Sequence, residues 1–129
     1  MQQSLEEIEG NAWGDPPPGA SRLVVTVHAL RRRPVGELGV EGLRVLIGQR
    51  EGLATLVPLA LGELERDPLA EGDFYPGDLL AAVVRVPESY WREHRDQAVR
   101  LRAVTESVDL GELDEGTRGD IAAFRGCEY

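Results

Sequence analysis

The sequence from residue 53 to residue 64, LATLVPLALGEL, places apolar side chains at offsets 0, 3, 4, 7, 8 and 11. The residues at these positions are Leu53, Leu56, Val57, Ala60, Leu61 and Leu64. Because side chains three and four residues apart share one face of an α-helix, the pattern predicts an amphipathic helix with one buried stripe. Pro58 lies inside the segment, so either the helix is kinked there or its regular part begins near Leu56.

Comparable apolar spacing on both sides of this segment indicates further helices. Together the helices are predicted over residues 4–10, 21–33, 40–50, 53–64, 76–86 and 88–108. Ser4 and Glu7 form a capping box for the first helix, and Ser21 can cap the second, which Pro34 ends. Period-two alternation is confined to RLVVTV at residues 22–27. We therefore predict an all-α fold, a single compact domain of about six helices that spans residues 1–129.

Two segments lack a clear helical pattern. Residues 10–20 contain three consecutive prolines and several glycines, which predicts an ordered loop or a linker, and a buried Trp13 would favour the ordered loop. Residues 109–129 are acidic and rich in glycine, so we expect an irregular, loosely ordered tail with at most a short helical turn at residues 120–124.

The apolar stripes also predict which side chains form the core. The expected core residues on the later helices are Leu56, Leu61, Leu64, Leu80, Val83 and Leu101. On the second helix the expected stripe consists of Leu23, Val24, Val27 and Leu30. Three arginines at residues 31–33 then fall in the last turn, where the helix dipole favours cations.

The charge balance restricts the classes of partner. The chain has 23 Asp and Glu residues against 14 Arg and no Lys, a net charge of −9. Such a charge gives no support to general nucleic-acid binding or to binding of an anionic membrane, and it fits a basic partner protein. With a single cysteine, no apolar run of membrane-spanning length and no signal peptide, we expect a cytoplasmic protein, and we favour a monomer.

Candidate catalytic residues are few. His28 and His94 have no histidine, cysteine or carboxylate three or four residues further on that would make a zinc pair, and Cys127 has no motif around it. No phosphate-binding glycine loop follows a predicted strand. We therefore expect no enzyme activity, no metal and no cofactor, and the enzyme hypothesis would require one of the two histidines to share a cleft with carboxylates.

Acidic residues are concentrated in two segments, each with six acids and one arginine, between residues 63 and 78 and between residues 106 and 120. Such clusters are usually solvated surface. The first cluster also contains Phe74 and Tyr75, and aromatic side chains in a charged loop are typical of a protein-binding hot spot. The alternative, equally open, is that these two side chains form a hydrophobic plug that fixes the loop on the helices.

Residues 67–80, DPLAEGDFYPGDLL, and residues 43–49, LRVLIGQ, resemble the immunity proteins of bacterial contact-dependent growth inhibition (CDI) systems. The similarity covers about residues 4–91. It implies a cytoplasmic, mainly helical, non-enzymatic protein that binds the C-terminal domain of one cognate toxin and blocks it. Such toxins are often nucleases with basic surfaces, which an inhibitor of net charge −9 could cover.

If the partner is a basic toxin domain, we expect the first acidic segment to capture it. The predicted binding residues are Glu71, Asp73, Phe74, Tyr75 and Asp78, with Glu63 and Asp67. A second candidate surface consists of Asp109, Glu112, Asp114 and Glu115. The alternative function is an acidic regulator or nucleic-acid mimic that binds a basic cellular protein.

Overall fold

The computed structural model describes residues 3–127 and contains, within them, eight α-helices and no β-strand. The helices are α1 (Leu5–Glu9), α2 (Arg22–Arg32), α3 (Gly39–Gly48), α4 (Leu53–Arg66), α5 (Asp78–Val84), α6 (Glu88–Glu93), α7 (Arg95–Ser107) and α8 (Glu115–Arg125). The predicted all-α fold is confirmed, and the number of helices is close to the expected six. None of the helices in residues 3–127 is long and apolar enough to cross a membrane.

Helix α4 lies at the centre of the fold. It packs against α3, α5 and α7, and its stripe residues Leu56, Leu61 and Leu64 are fully buried. The helix begins at Leu53 and continues through Pro58, so its regular part does not begin near Leu56. Pro58 lacks the N–H that would donate to the Ala54 carbonyl. Ala54 is exposed in the first turn, so water can hydrogen-bond to this free carbonyl.

The remaining core predictions are also confirmed. Leu80 and Val83 of α5 and Leu101 of α7 have no exposed surface. Helix α2 differs from its predicted stripe, because Val27 and Leu30 are buried whereas Leu23 and Val24 are 45% and 37% exposed. The two exposed residues lie in the first turn of α2, N-terminal to the part of the helix that packs on the core.

The single helix predicted over residues 88–108 is wrong, because the chain breaks into α6 and α7 at His94. His94 leaves the helical conformation with φ −133° and ψ 58°. Tyr90 and Trp91 are both buried in α6, just before the break. His94 stacks on Tyr90, whose hydroxyl donates to Gln97 at 2.6 Å across the break, and neither proline nor glycine marks the position.

The irregular tail predicted for residues 109–129 is also wrong over its described part. Helix α8 spans Glu115–Arg125, with the Asp114 carboxylate accepting the Thr117 N–H at 2.6 Å as its N-cap. Ile121 and Phe124 are buried, and the Phe124 ring meets Trp91 edge-on with centroids 5.6 Å apart. Burial of these side chains against the α5–α6 region overrides the low helix propensity of the glycines.

The proline-rich segment of residues 10–20 is an ordered loop. Although Trp13 is 38% exposed, the guanidinium of Arg31 lies 4.3 Å from the centroid of its ring. Arg31 itself is fully buried, forms ion pairs with Glu9 at 2.7 Å and Glu51 at 3.0 Å, and donates to the carbonyl of Asn11. A residue expected only to complement the helix dipole therefore ties the loop, α1 and α2 together.

Candidate protein-binding surface

The loop formed by residues 71–77, hereafter the 71–77 loop, connects to α5 through Asp78 and is held by that carboxylate. The Asp78 side chain is buried and accepts the N–H of Gly72 at 2.7 Å and of Phe74 at 3.1 Å. The Tyr75 N–H lies 3.5 Å away, at the limit of a hydrogen bond. Because this carboxylate holds the loop backbone from inside, the side chains of Glu71, Asp73 and Phe74 face solvent.

Helix α3 supplies a second support. The Glu41 carboxylate accepts the Asp73 N–H at 2.9 Å and pairs with Arg44 through two hydrogen bonds of 2.7 and 2.6 Å. The Arg44 hydrogen bond lowers the pKa of Glu41, with the backbone hydrogen bond from Asp73 acting in the same direction, so the carboxylate stays ionised. Arg44 also lies 3.8 Å from Asp78, which links both carboxylates through one cation.

Two glycines make this packing possible. A Cβ at Gly72 would collide with the carboxylates of Glu41 and Asp78. Gly77 has φ 90°, and a Cβ there would lie 2.8 Å from Cδ2 of Leu113. The loop can therefore approach Glu41, Asp78 and Leu113 closely only because side chains are absent at these positions.

Phe74 and Tyr75 lie at the outer side of the loop. Phe74 is 68% exposed and Tyr75 is 37% exposed. The Arg44 guanidinium lies 4.5 Å from the centroid of the Phe74 ring and supports it from beneath. The plug hypothesis therefore fails for Phe74, which presents most of its surface to solvent, whereas Tyr75 is partly covered.

Two concavities border this pair of side chains. A pocket of about 280 Å³ lies between the loop, α3 and α5, and includes Arg44, Arg50, Arg85 and Tyr75 in its lining. A more open groove of about 620 Å³ lies towards α2. Arg44 and Phe74 line both, so the Phe74 ring stands on a ridge between them. Arg44 belongs to α3, Arg50 follows the end of the same helix and Arg85 is the C-cap residue of α5. No spacing in the sequence predicts that the three meet.

The residues predicted in the first acidic segment have different roles in the structure. Glu71 and Asp73 are exposed beside Phe74, as a contact surface requires. Asp78 is buried, so the expectation that it faces a partner is corrected: it shapes the loop from inside. Glu63 pairs with Arg66 on α4, and Asp67 ends that helix, where its carboxylate accepts the Leu69 N–H at 3.0 Å.

The second candidate surface lies next to the first, because Leu113 packs against Gly77. Asp109 and Asp114 cap helical turns by accepting the N–H groups of Gly111 and Thr117, and the hydrogen bonds from Thr117 lower the pKa of Asp114. The two other acids of this surface, Glu112 and Glu115, are exposed. Half of this acidic cluster therefore has a structural explanation.

Neither histidine belongs to this surface. Nδ1 of His28 lies 3.2 Å from the Gly14 carbonyl oxygen, and its ring meets Trp13 edge-on. His94 stacks on Tyr90, and its Nδ1 lies 2.9 Å from the carbonyl oxygen of the same residue. Across residues 3–127, no group of three or more His, Cys, Asp or Glu side chains is arranged to hold a metal ion.

Comparison with known proteins adds one finding. The family described as CDI immunity proteins matches residues 7–101, which is more than two thirds of the chain. The matched region includes the whole 71–77 loop and the helices that support it, and it ends within α7, before α8. No curated protein matches the sequence.

Proposed function

The chain belongs to the CDI immunity proteins, and on this basis we propose that it binds one cognate CDI toxin domain in a stoichiometric complex and blocks its activity. We place this encounter in the cytoplasm, where an entering toxin domain would act. The protein acts by covering a functional surface of the toxin, with no reaction of its own. The toxin-contacting surface that we propose is the 71–77 loop with its flanking concavities.

The exposed Phe74 on a rigid loop is the observation that supports this surface best. An aromatic ring with 68% of its surface exposed gains apolar burial when a partner covers it. Because Glu41 and Asp78 already hold the loop backbone, little conformational entropy is lost on binding. The surface thus combines an aromatic anchor with preorganisation, the two properties that concentrate binding energy at a hot spot.

Charge complementarity supports a basic toxin domain such as a nuclease. The net charge of −9 attracts a basic surface from a distance, and the exposed Glu71 and Asp73 direct that attraction to the loop. In this arrangement the acidic side chains raise the association rate, whereas burial of the Phe74 ring lowers the dissociation rate.

The proposed function is tested with a CDI toxin domain, for which a neighbouring reading frame that ends in such a domain would be the candidate. We expect a one-to-one complex in isothermal titration calorimetry and loss of toxin activity at equimolar inhibitor. Phe74→Ala should weaken binding by about 2 kcal/mol or more, which is typical of an anchor residue. Val99→Ala is the matched control, since Val99 is also 68% exposed but lies on α7, and it should bind as the parent does.

Absence of any complex between the parent protein and this toxin domain would contradict the proposal. Capture of a basic cellular protein instead would support the alternative, an acidic regulator. If Phe74→Ala and Val99→Ala both bind like the parent, the immunity function stands but the 71–77 loop is not the contact surface.

A further inference from the structure

The pocket between the 71–77 loop, α3 and α5 has a character opposite to that of the whole protein. In a chain with net charge −9, three arginines, Arg44, Arg50 and Arg85, line one cavity of about 280 Å³ together with a single carboxylate, the buried Asp78. The aromatic rings of Phe74 and Tyr75 line it from the loop side. Planar cations beside aromatic walls form an environment for a negatively charged group with an apolar stem.

The three arginines differ in how their charges are used. Arg44 is paired with Glu41 and lies near Asp78. Arg85 is paired with Asp120 of α8 at 2.6 Å. Arg50 is exposed, and within residues 3–127 its guanidinium has neither an ion pair nor a hydrogen bond to another residue. The pocket therefore holds one cation whose charge is not yet compensated.

The backbone at Arg50 is a second, independent observation. Arg50 has φ 60°, and among residues 3–127 it is the one non-glycine residue with positive φ. It follows α3 in a Schellman motif, in which the Arg50 N–H donates to the Ile47 carbonyl and the Glu51 N–H to the Leu46 carbonyl, both at 2.9 Å. Glycine or asparagine is usual at this position because neither is strained there. An arginine in this conformation is uncommon, and this singles out Arg50 for a hypothesis of function.

We propose that this pocket receives a carboxylate side chain, Asp or Glu, of the toxin domain, and that Arg50 is its direct ligand. The inference rests on the proposed function and names the chemistry of one contact. The guanidinium would donate to both carboxylate oxygens, while the Tyr75 ring packs against the apolar stem. A pocket of about 280 Å³ has room for one such side chain.

This contact would have the opposite polarity to the contacts expected around it on the outer surface. Glu71 and Asp73 attract basic groups around the loop, whereas the arginine pocket accepts an acidic one beside it. Alternating signs over a short distance fix the register of a complex and exclude partners with the wrong pattern. The pocket thus supplies specificity that a uniformly acidic surface lacks.

The first test compares Arg50→Asn, Arg50→Lys and the parent in surface plasmon resonance with the cognate toxin domain. Asparagine suits the left-handed backbone and removes the charge, so Arg50→Asn should weaken affinity about ten- to a hundredfold without lowering the urea midpoint. Arg50→Lys should retain part of the affinity, because the charge remains but the planar fork is lost. The control is Arg92→Asn on α6, which should bind like the parent. Unchanged toxin binding by Arg50→Asn would overturn the proposal.

The second test uses the free protein and does not depend on the toxin. Acetylglutamate amide should shift the NMR amide signals of Gly48, Arg50 and Tyr75, whereas acetylglutamine amide should not, and Arg50→Asn should abolish the response. Equal shifts with both compounds, or a stronger response to inorganic phosphate, would overturn the carboxylate assignment. If the parent shows the selective shifts but no toxin binding, the proposed function fails while the pocket assignment stands.

Discussion

Replacing Asp78 with asparagine tests whether one buried carboxylate determines the shape of the 71–77 loop. Asparagine has the same shape but keeps only one acceptor oxygen, and its amide group would face a backbone N–H of Gly72 or Phe74. Both of these groups now donate to the Asp78 carboxylate, at 2.7 and 3.1 Å. The substitution therefore removes one charge-assisted hydrogen bond and leaves a part-buried N–H without its protein partner.

The expected magnitude follows from these contacts. A hydrogen bond to a charged group contributes about 1.5–3 kcal/mol, and a donor that water can still reach adds less than the cost of about 1–3 kcal/mol for a fully buried one. The Tyr75 N–H at 3.5 Å is too distant to add much. Asp78→Asn should thus lower the free energy of unfolding by about 3 kcal/mol, less than the 5–15 kcal/mol typical of a whole domain, so the variant should still fold.

Urea denaturation followed by circular dichroism measures this loss, and amide hydrogen exchange locates it. We expect faster exchange at Gly72 and Phe74, together with weaker toxin binding, because the aromatic anchor loses its fixed position. Asp67→Asn is the matched control, since its exposed carboxylate accepts one backbone N–H and its loss should cost less than about 1 kcal/mol. An Asp78→Asn variant with parental stability and parental exchange would refute the assigned role of Asp78.

Three further predictions concern the core, the pH dependence and the association rate. Leu61→Ala should lower the free energy of unfolding by about 2–5 kcal/mol in urea denaturation, because Leu61 has no exposed surface. The hydrogen bond from Arg44 lowers the folded-state pKa of Glu41 below its ordinary value of 4.5. The resulting stabilisation is present above about pH 4.5 and is lost as the pH falls through the folded-state pKa. Glu41→Gln should therefore lose less stability between pH 6 and pH 3 than the parent, and an equal loss would contradict this. Replacing Glu71 and Asp73 by alanine should slow toxin association at low salt by a factor that shrinks as salt rises, with unfolding unchanged, whereas parental association rates at every salt concentration would show that these acids do not steer.

Local sequence signals predicted most of the helices and their buried faces. The Ser4 and Ser21 caps and the stripe of α4 depend on residues within one or two turns, so they can be recognised without the rest of the fold. The aromatic pair Phe74 and Tyr75, which lies among acidic residues, was also visible in the sequence. The sequence did not indicate whether Phe74 faces solvent or the core, because its exposure depends on Arg44 of α3.

The tertiary structure decided which charges are structural and which are available to a partner. Arg31 and Asp78 lie in segments that look solvated, yet both are buried. Arg31 is compensated by Glu9 and Glu51, which are distant in sequence, and Asp78 lies 3.8 Å from Arg44 of α3. Helix α8 is stabilised by the packing of Phe124 against Trp91, which is distant in sequence. The arginine pocket exists only where α3, α5 and the 71–77 loop meet. Periodicity and capping are local and can be recognised from sequence, whereas charge compensation and cavities depend on contacts between distant segments, which only the folded chain brings together.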